Sequence, residues 1–246
     1  MSQDSDPELA KRIARSRPVR QPALLDAPAV SLRRCGLDEV GRGALAGPLV
    51  AAAAILPDDI ADRLGALARF LRDSKTVPRA RREDLAAAIQ VHALAVEIVS
   101  IPVEDINRHG IGWANREAFH RLIAALDADE YIVDGRLRPP APADRIARVR
   151  CMVKADTLVP AVAAASLVAK VHRDALMSAL HHDYPAFGWN ENAGYGTATH
   201  LAALRSVGAC PEHRTLFVAT ALSGGQRARK IGKAGKTGAE PQRLLE

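Results

Sequence analysis

Cys35-Gly36-Leu37-Asp38-Glu39-Val40-Gly41-Arg42-Gly43, continued through Ala44-Leu45-Ala46-Gly47-Pro48 into an apolar run that ends at Leu56, is the stretch that decides the fold. Cys35–Val40 and Pro48–Leu56 are short apolar segments joined by a glycine-rich connection, the pattern of a strand, a turn and a second strand. The first strand runs into two adjacent carboxylates. Side chains alternate along a strand, so Asp38 and Glu39 point to opposite faces unless Gly41 lets the backbone bend. Gly41-Arg42-Gly43 is also suited to cradling a phosphate, because glycine lets backbone N–H groups approach a ligand closely. A dinucleotide-binding turn has comparable glycine spacing. Here, however, two acids precede the loop, Pro48 and a β-like run follow it in place of a helix, and no Gly-Lys-Ser/Thr is present.

Working outward, Pro78 to His92 reads as an amphipathic helix with Leu85, Ala88, Ile89 and His92 on one face, and Leu94–Ile101 as a strand. Gly112–Leu126 is a second helix, leading into Glu130–Asp134, a strand that ends on a carboxylate. Arg148–Val153 is another strand and runs into Asp156. Leu158–His181 is a long alanine-rich helix, with Thr157 and Pro160 as its start signals, and His200–Val207 is a shorter one. Strands followed by helices, with acids at strand ends, predict an α/β domain whose sheet presents its site at one end.

The length of 246 residues, with 48% hydrophobic and 25% charged, allows one substantial core. Residues 1–30 are expected to be a flexible arm, 31–222 the folded domain and 223–246 a flexible basic tail. Most of the net charge of +6 is in that tail, which has six Lys/Arg against two Glu, while the arm has five against four. The body is left with +1, so a polyanion partner has to be argued from local sites. Three widely spaced cysteines suggest neither a disulfide framework nor a zinc knuckle, and a reducing cytoplasm is expected. The N-terminus lacks an apolar signal core, and no apolar run approaches the roughly 20 residues of a membrane span.

Asp38, Glu39, Asp134 and Asp156 are the acids that need a reason. If they converge, they repel and raise one another's pKa. Divalent cations remove that conflict. Hard oxygen ligands suit Mg²⁺ or Mn²⁺, and a pair of such ions about 3.5–4 Å apart activates water and stabilises a leaving oxygen in phosphodiester cleavage. Taken singly, Asp156 can serve a helix N-terminus and Asp134-Gly135 a turn.

Asp38-Glu39-Val40-Gly41-Arg42-Gly43, Asp73-Ser74-Lys75, Val133-Asp134-Gly135, Val153-Lys154-Ala155-Asp156, Ala164 to Lys170 and Gly194-Tyr195-Gly196 together resemble ribonuclease HII in order and spacing, over about Arg34 to Phe217. The resemblance implies a ribonuclease H-like fold: a central mixed β-sheet flanked by helices, with a smaller C-terminal helical part. It implies that Asp38, Glu39, Asp134 and Asp156 are the catalytic metal-site residues, with Mn²⁺ or Mg²⁺ as cofactor. Recognition of the ribose 2′-hydroxyl falls to Gly41, Arg42 and Gly43, and packing at the RNA–DNA junction to Tyr195. Lys75, Lys170 and Arg173 look like phosphate contacts by the same resemblance. The expected substrates are RNA–DNA hybrids and duplex DNA containing ribonucleotides, cut 5′ to a ribonucleotide to leave 3′-hydroxyl and 5′-phosphate ends. Ser166 is expected to be a small packing residue, and His172 and His213 structural. The chain departs from the family pattern at Ala193, where a Lys is common, and in Ile111-Gly112-Trp113-Ala114-Asn115, where Ile-Leu-x-Ala-Thr is usual. The tail lacks a glutamine-to-aromatic clamp motif, so no sliding-clamp partner is expected, and a monomer is.

Overall fold

The computed structural model describes residues 32–71, 78–136 and 138–223. The arm expected at 1–30, the tail from 224 onward and Asp73-Ser74-Lys75, with the phosphate contact expected of Lys75, lie outside the described residues.

Strands β1 (Arg34–Val40) and β2 (Leu49–Ile55) are antiparallel, and β3 (Ala95–Ile101) continues the meander on the far side of β2. Strands β4 (Glu130–Asp134) and β5 (Val149–Met152) add to the other side of β1, both parallel to it, so the order is β3-β2-β1-β4-β5. The β1–β2 ladder stays regular to Val40 opposite Val50. The chain therefore turns only after the two acids, at Gly41, whose φ of +85° favours glycine.

Short helices α1 (Ile60–Leu64) and α2 (Ala68–Leu71) and the longer α3 (Arg79–His92) follow β2. Helices α4 (Val103–His109) and α5 (Ile111–Ala125) connect β3 to β4. After β5 come α6 (Ala155–Leu158), α7 (Pro160–Asp183), α8 (Trp189–Asn192), α9 (Ala198–Val207) and helical turns at 215–223. The expected long helix thus starts later than Thr157, which belongs to the separate turn of α6. Pro160 is the first residue of α7, where its missing N–H leaves no intrahelical bond unmade.

Strand alternation divides the core in two. Leu37, Ala51 and Ala53 face α5 through Ala118 and Leu122, whereas Val50, Ala52 and Ala54 face α3 and α7 through Leu85, Ile89, Ala164 and Val168. Small residues bring α7 close to the sheet. A Cβ on Gly36 would stand 2.2 Å from both the Ala161 carbonyl carbon and the Val162 nitrogen, so only glycine fits beneath the helix. A third cluster, with Leu45, Met177, Phe187, Trp189 and Leu204, joins the C-terminal helical part to the connection between β1 and β2. No described helix is long and apolar enough to cross a membrane.

Candidate active site

Leu37 lies opposite Val133 in the parallel β1–β4 pair, so Asp38 and Asp134, one residue further along each strand, emerge side by side. Both face the α7 side. Ser166 on α7 donates to the Asp38 carboxylate, and the Ala155 N–H donates to Asp134 Oδ1 at 2.7 Å. Glu39 points the other way, toward α5. There it meets Asn115, and Arg42 Nη1 lies 3.6 Å from its Oε1. The adjacent acids keep the alternation of a regular strand and straddle the end of the sheet, with no bend between them.

Burial is the main cause that pushes Asp38 up to about 7, with the charges of Glu39 and Asp134 adding to it. The Ser166 hydroxyl and the Glu39 N–H, 2.8 Å from Oδ1, oppose the rise. Glu39 is also raised, first by burial and then by Asp134, against the pull of Arg42 and Asn115. Asn115 lies against Glu39 and lowers its pKa, yet Nδ2 makes no hydrogen bond of good geometry and is an orphaned buried donor beside the acids. Asp156, on α6 just after Lys154 in the left-handed conformation, lines a recess with Leu71, Thr157, Leu158 and Ala163 that none of the other three acids lines.

Among the described residues, no three His, Cys, Asp or Glu groups stand close enough to hold one metal ion as they are. The chemistry of the donors fits a hard divalent cation nonetheless. They are all oxygens, and the charges of Glu39 and Asp134 raise Asp38.

The glycine-rich loop beside the acids is held from beneath by two fully buried arginines. Arg173 donates to Pro48 O at 3.0 Å, Ala46 O at 3.1 Å and Ala193 O at 2.8 Å. Arg214 donates to Gly41 O at 2.6 Å, Arg42 O at 3.2 Å, and Gly47 O at 3.0 and 2.8 Å. The phosphate contact expected of Arg173 does not fit this burial, since its guanidinium is spent on carbonyls and shielded from any surface ligand. A Cβ on Gly41 would reach within 2.1 Å of Arg173 Nε, which is why glycine stands there. Tyr195 is 38% exposed, with its ring centroid 5.6 Å from the Arg173 guanidinium carbon. Its neighbour Gly194 accepts from Leu45 N at 2.8 Å and Ala46 N at 3.3 Å, so the two loops touch. Lys170 pairs with Asp174 at the rim of a recess shared with Arg82 and Glu191. Asn115 and Arg214 are residues that sequence reasoning missed, and Ser166, expected to be a small packing residue, bonds Asp38. The burial of Arg173 had a signal, because Ala165, Ala169, Arg173 and Met177 follow one another at intervals of four, along one helix face.

A mixed sheet with acids at the ends of neighbouring parallel strands, flanked by helices and completed by a helical C-terminal part, defines a hydrolase of the ribonuclease H type. The Ribonuclease HII family model matches residues 35–220. The ribonuclease HII of Acidovorax sp. (strain JS42) is 45% identical over 190 residues, covering 76% of this chain and 85% of its own. That of Paramagnetospirillum magneticum is 44% identical over 189 residues, covering 76% and 90%. Among solved structures, a chain of the PCNA:RNase HII complex from Archaeoglobus fulgidus matches with a TM-score of 0.62 at 29% identity, over 74% of this chain and 94% of that one. The ribonuclease H2 of Pyrococcus horikoshii OT3 shares the fold, with a TM-score of 0.63 at 23% identity over 81% and 100%. The chain belongs to the ribonuclease HII family, and with it to the endonucleases that hydrolyse the RNA strand of RNA–DNA hybrids.

Proposed function

We propose that this enzyme cuts on the 5′ side of ribonucleotides, both in hybrids and embedded singly in duplex DNA, leaving a 3′-hydroxyl and a 5′-phosphate. The observation that carries this reading is the adjacency of the acids to a rigid glycine loop. Asp38 and Asp134 lie side by side at the strand ends, and the backbone of Gly41-Arg42-Gly43 follows directly from the same strand. Asp38, Glu39 and Asp134 would hold Mg²⁺ or Mn²⁺, with Asp156 completing the set from α6. When bound, a pair of such ions supplies an activated water and charge stabilisation at the leaving oxygen.

The chain's own residues supply the rest. Of Gly41, Arg42 and Gly43, only Arg42 has a long side chain; its Nη1 lies 3.6 Å from Glu39 Oε1, and a Cβ on Gly43 would meet nothing within 4 Å. That leaves backbone groups to meet the 2′-hydroxyl, the atom that separates RNA from DNA. The exposed ring of Tyr195 stacks on the sugar or base at the junction. Lys75 and Lys170 contact phosphates and fix the register of the duplex without reading its sequence.

A duplex carrying one embedded ribonucleotide, incubated with Mg²⁺ or Mn²⁺ and analysed for its end groups, tests the proposal. Cleavage 5′ to the ribonucleotide is expected, with Asp134→Asn inactive but still binding the duplex. Full turnover under thorough chelation, or cutting on the 3′ side, sinks it.

A further inference from the structure

Behind Tyr195, outside the acidic site, lies a buried chain of hydrogen bonds. The Cys210 N–H donates to His213 Nδ1 at 3.0 Å, His213 Nε2 lies 3.0 Å from His200 Nε2, and His200 Nδ1 lies 3.0 Å from the Tyr195 carbonyl oxygen. The directions follow from the Tyr195 end. A carbonyl can only accept, so His200 carries its proton on Nδ1 and donates it to Tyr195 O, which leaves His200 Nε2 the acceptor for the His213 Nε2–H. His213 Nδ1 is then unprotonated and accepts from the Cys210 N–H, with the Cys210 Sγ and carbonyl oxygen also near it at 3.2 and 3.3 Å. Trp189 Nε1 also donates to His200 Nε2, at 3.3 Å, which agrees with this assignment. Both rings are enclosed by Phe187 and Trp189.

The same segment grips the other loop through its backbone. Gly47 N donates to Glu212 O at 2.9 Å, Arg214 N donates to Leu45 O at 2.8 Å, and Ala46 and His213 form an isolated antiparallel bridge. Arg214, next in sequence to His213, holds the Gly41, Arg42 and Gly47 carbonyls. One face of the Cys210–Arg214 segment therefore fixes the ribose loop, and the His213 side chain reaches the Tyr195 loop through His200.

We propose that His200 and His213 are positioning residues that lock the Tyr195 backbone to the Gly41–Gly47 loop, so that ring and loop meet the duplex as one rigid unit. Neither histidine touches substrate. This inference rests on the role given above to Tyr195 and the glycine loop.

Kinetics on a duplex with one embedded ribonucleotide test it, using His200→Leu, which loses both ring bonds, and His200→Asn, which keeps a donor near the Nδ1 position. His200→Leu is expected to lower kcat/KM about tenfold and His200→Asn to recover most of it. In a Tyr195→Ala background His200→Leu should cost less than about twofold, because the residue it positions is gone. An equal loss in both backgrounds, or none in the first, overturns the proposal. If a variant fails to fold, nitrogen-15 NMR of the wild-type histidines at pH 7 still decides. The Nδ1–H form of His200 with the Nε2–H form of His213 supports the pair, and any other combination overturns it. A wild type that cuts no ribonucleotide-containing duplex defeats the functional reading instead, and the tautomers can be read either way.

Discussion

Asp38 sets folding against chemistry. Its ordinary carboxylate value of 3.8 is raised by burial to about 7, so the folded chain keeps this proton over a range where the unfolded chain has released it. A folded pKa above the unfolded one means that the stability linked to this group is fully present below about pH 3.8 and is lost as pH rises through about 7. Asp38→Asn keeps the shape, carries no charge and removes that loss. In chelator at pH 8 the variant is expected to melt higher than wild type, by roughly 2–4 °C for each kcal/mol recovered. At pH 4, where Asp38 is already neutral in the fold, the two should melt nearly together. Calorimetry at both pH values checks this, and an equal shift at the two would rule out the buried charge as the cause. The same variant is expected to be inactive, so the strained residue is retained for what it binds.

Among the elements, α7 decides how the site is assembled, because it carries Ser166 to Asp38 and Arg173 to the glycine loop. Its close approach depends on Gly36. Gly36→Ala forces a Cβ against the α7 backbone at 2.2 Å, and overpacking of this kind costs about 1–3 kcal/mol or more. Urea unfolding should show that loss, and cleavage should fall with it as Ser166 moves off Asp38. An unchanged unfolding midpoint would mean that the helix shifts freely. The long elements were legible in the sequence because their periodicity is a local property: β1, β2, α5 and α7 all lie within a few residues of their expected bounds. The acids at strand ends were legible for the same reason. Ser166 and Asn115 were not, since what makes them part of the site is contact with β1 across more than 70 residues of chain. Arg173 was expected to contact a phosphate by the family resemblance, which says nothing of its burial. Only the carbonyls of a distant loop explain why it is buried. Short helices such as α1 and α4 have too few turns for a period to register.

At the scale of the whole molecule, the C-terminal helical part is joined to the connection between β1 and β2 by an apolar cluster and by buried polar groups, the His200–His213 pair among them. His213 is pushed down to about 4, first by burial and then by His200, while in the unfolded chain it titrates near the ordinary value of 6.5. Its folded pKa is the lower one, so the unfolded chain binds more protons between these values. The stability linked to His213 is therefore full above about pH 6.5 and is lost as pH falls toward about 4, by up to about 3 kcal/mol. His200, lowered by burial, adds in the same direction. Asp38 works in the opposite sense over an overlapping range, so the acid limb of the wild-type curve alone does not isolate the histidines. Comparison with His213→Leu does, because Asp38 is common to both proteins and cancels in the difference. Leucine keeps the apolar packing against Phe187, 4.5 Å from the histidine ring, and cannot take a proton. Between pH 7 and 4.5 the unfolding free energy of wild type is expected to fall more steeply than that of the variant, the gap closing as pH drops. Parallel curves would show that the buried histidines already titrate normally, and with that the polar attachment of the C-terminal part would lose its acid sensitivity.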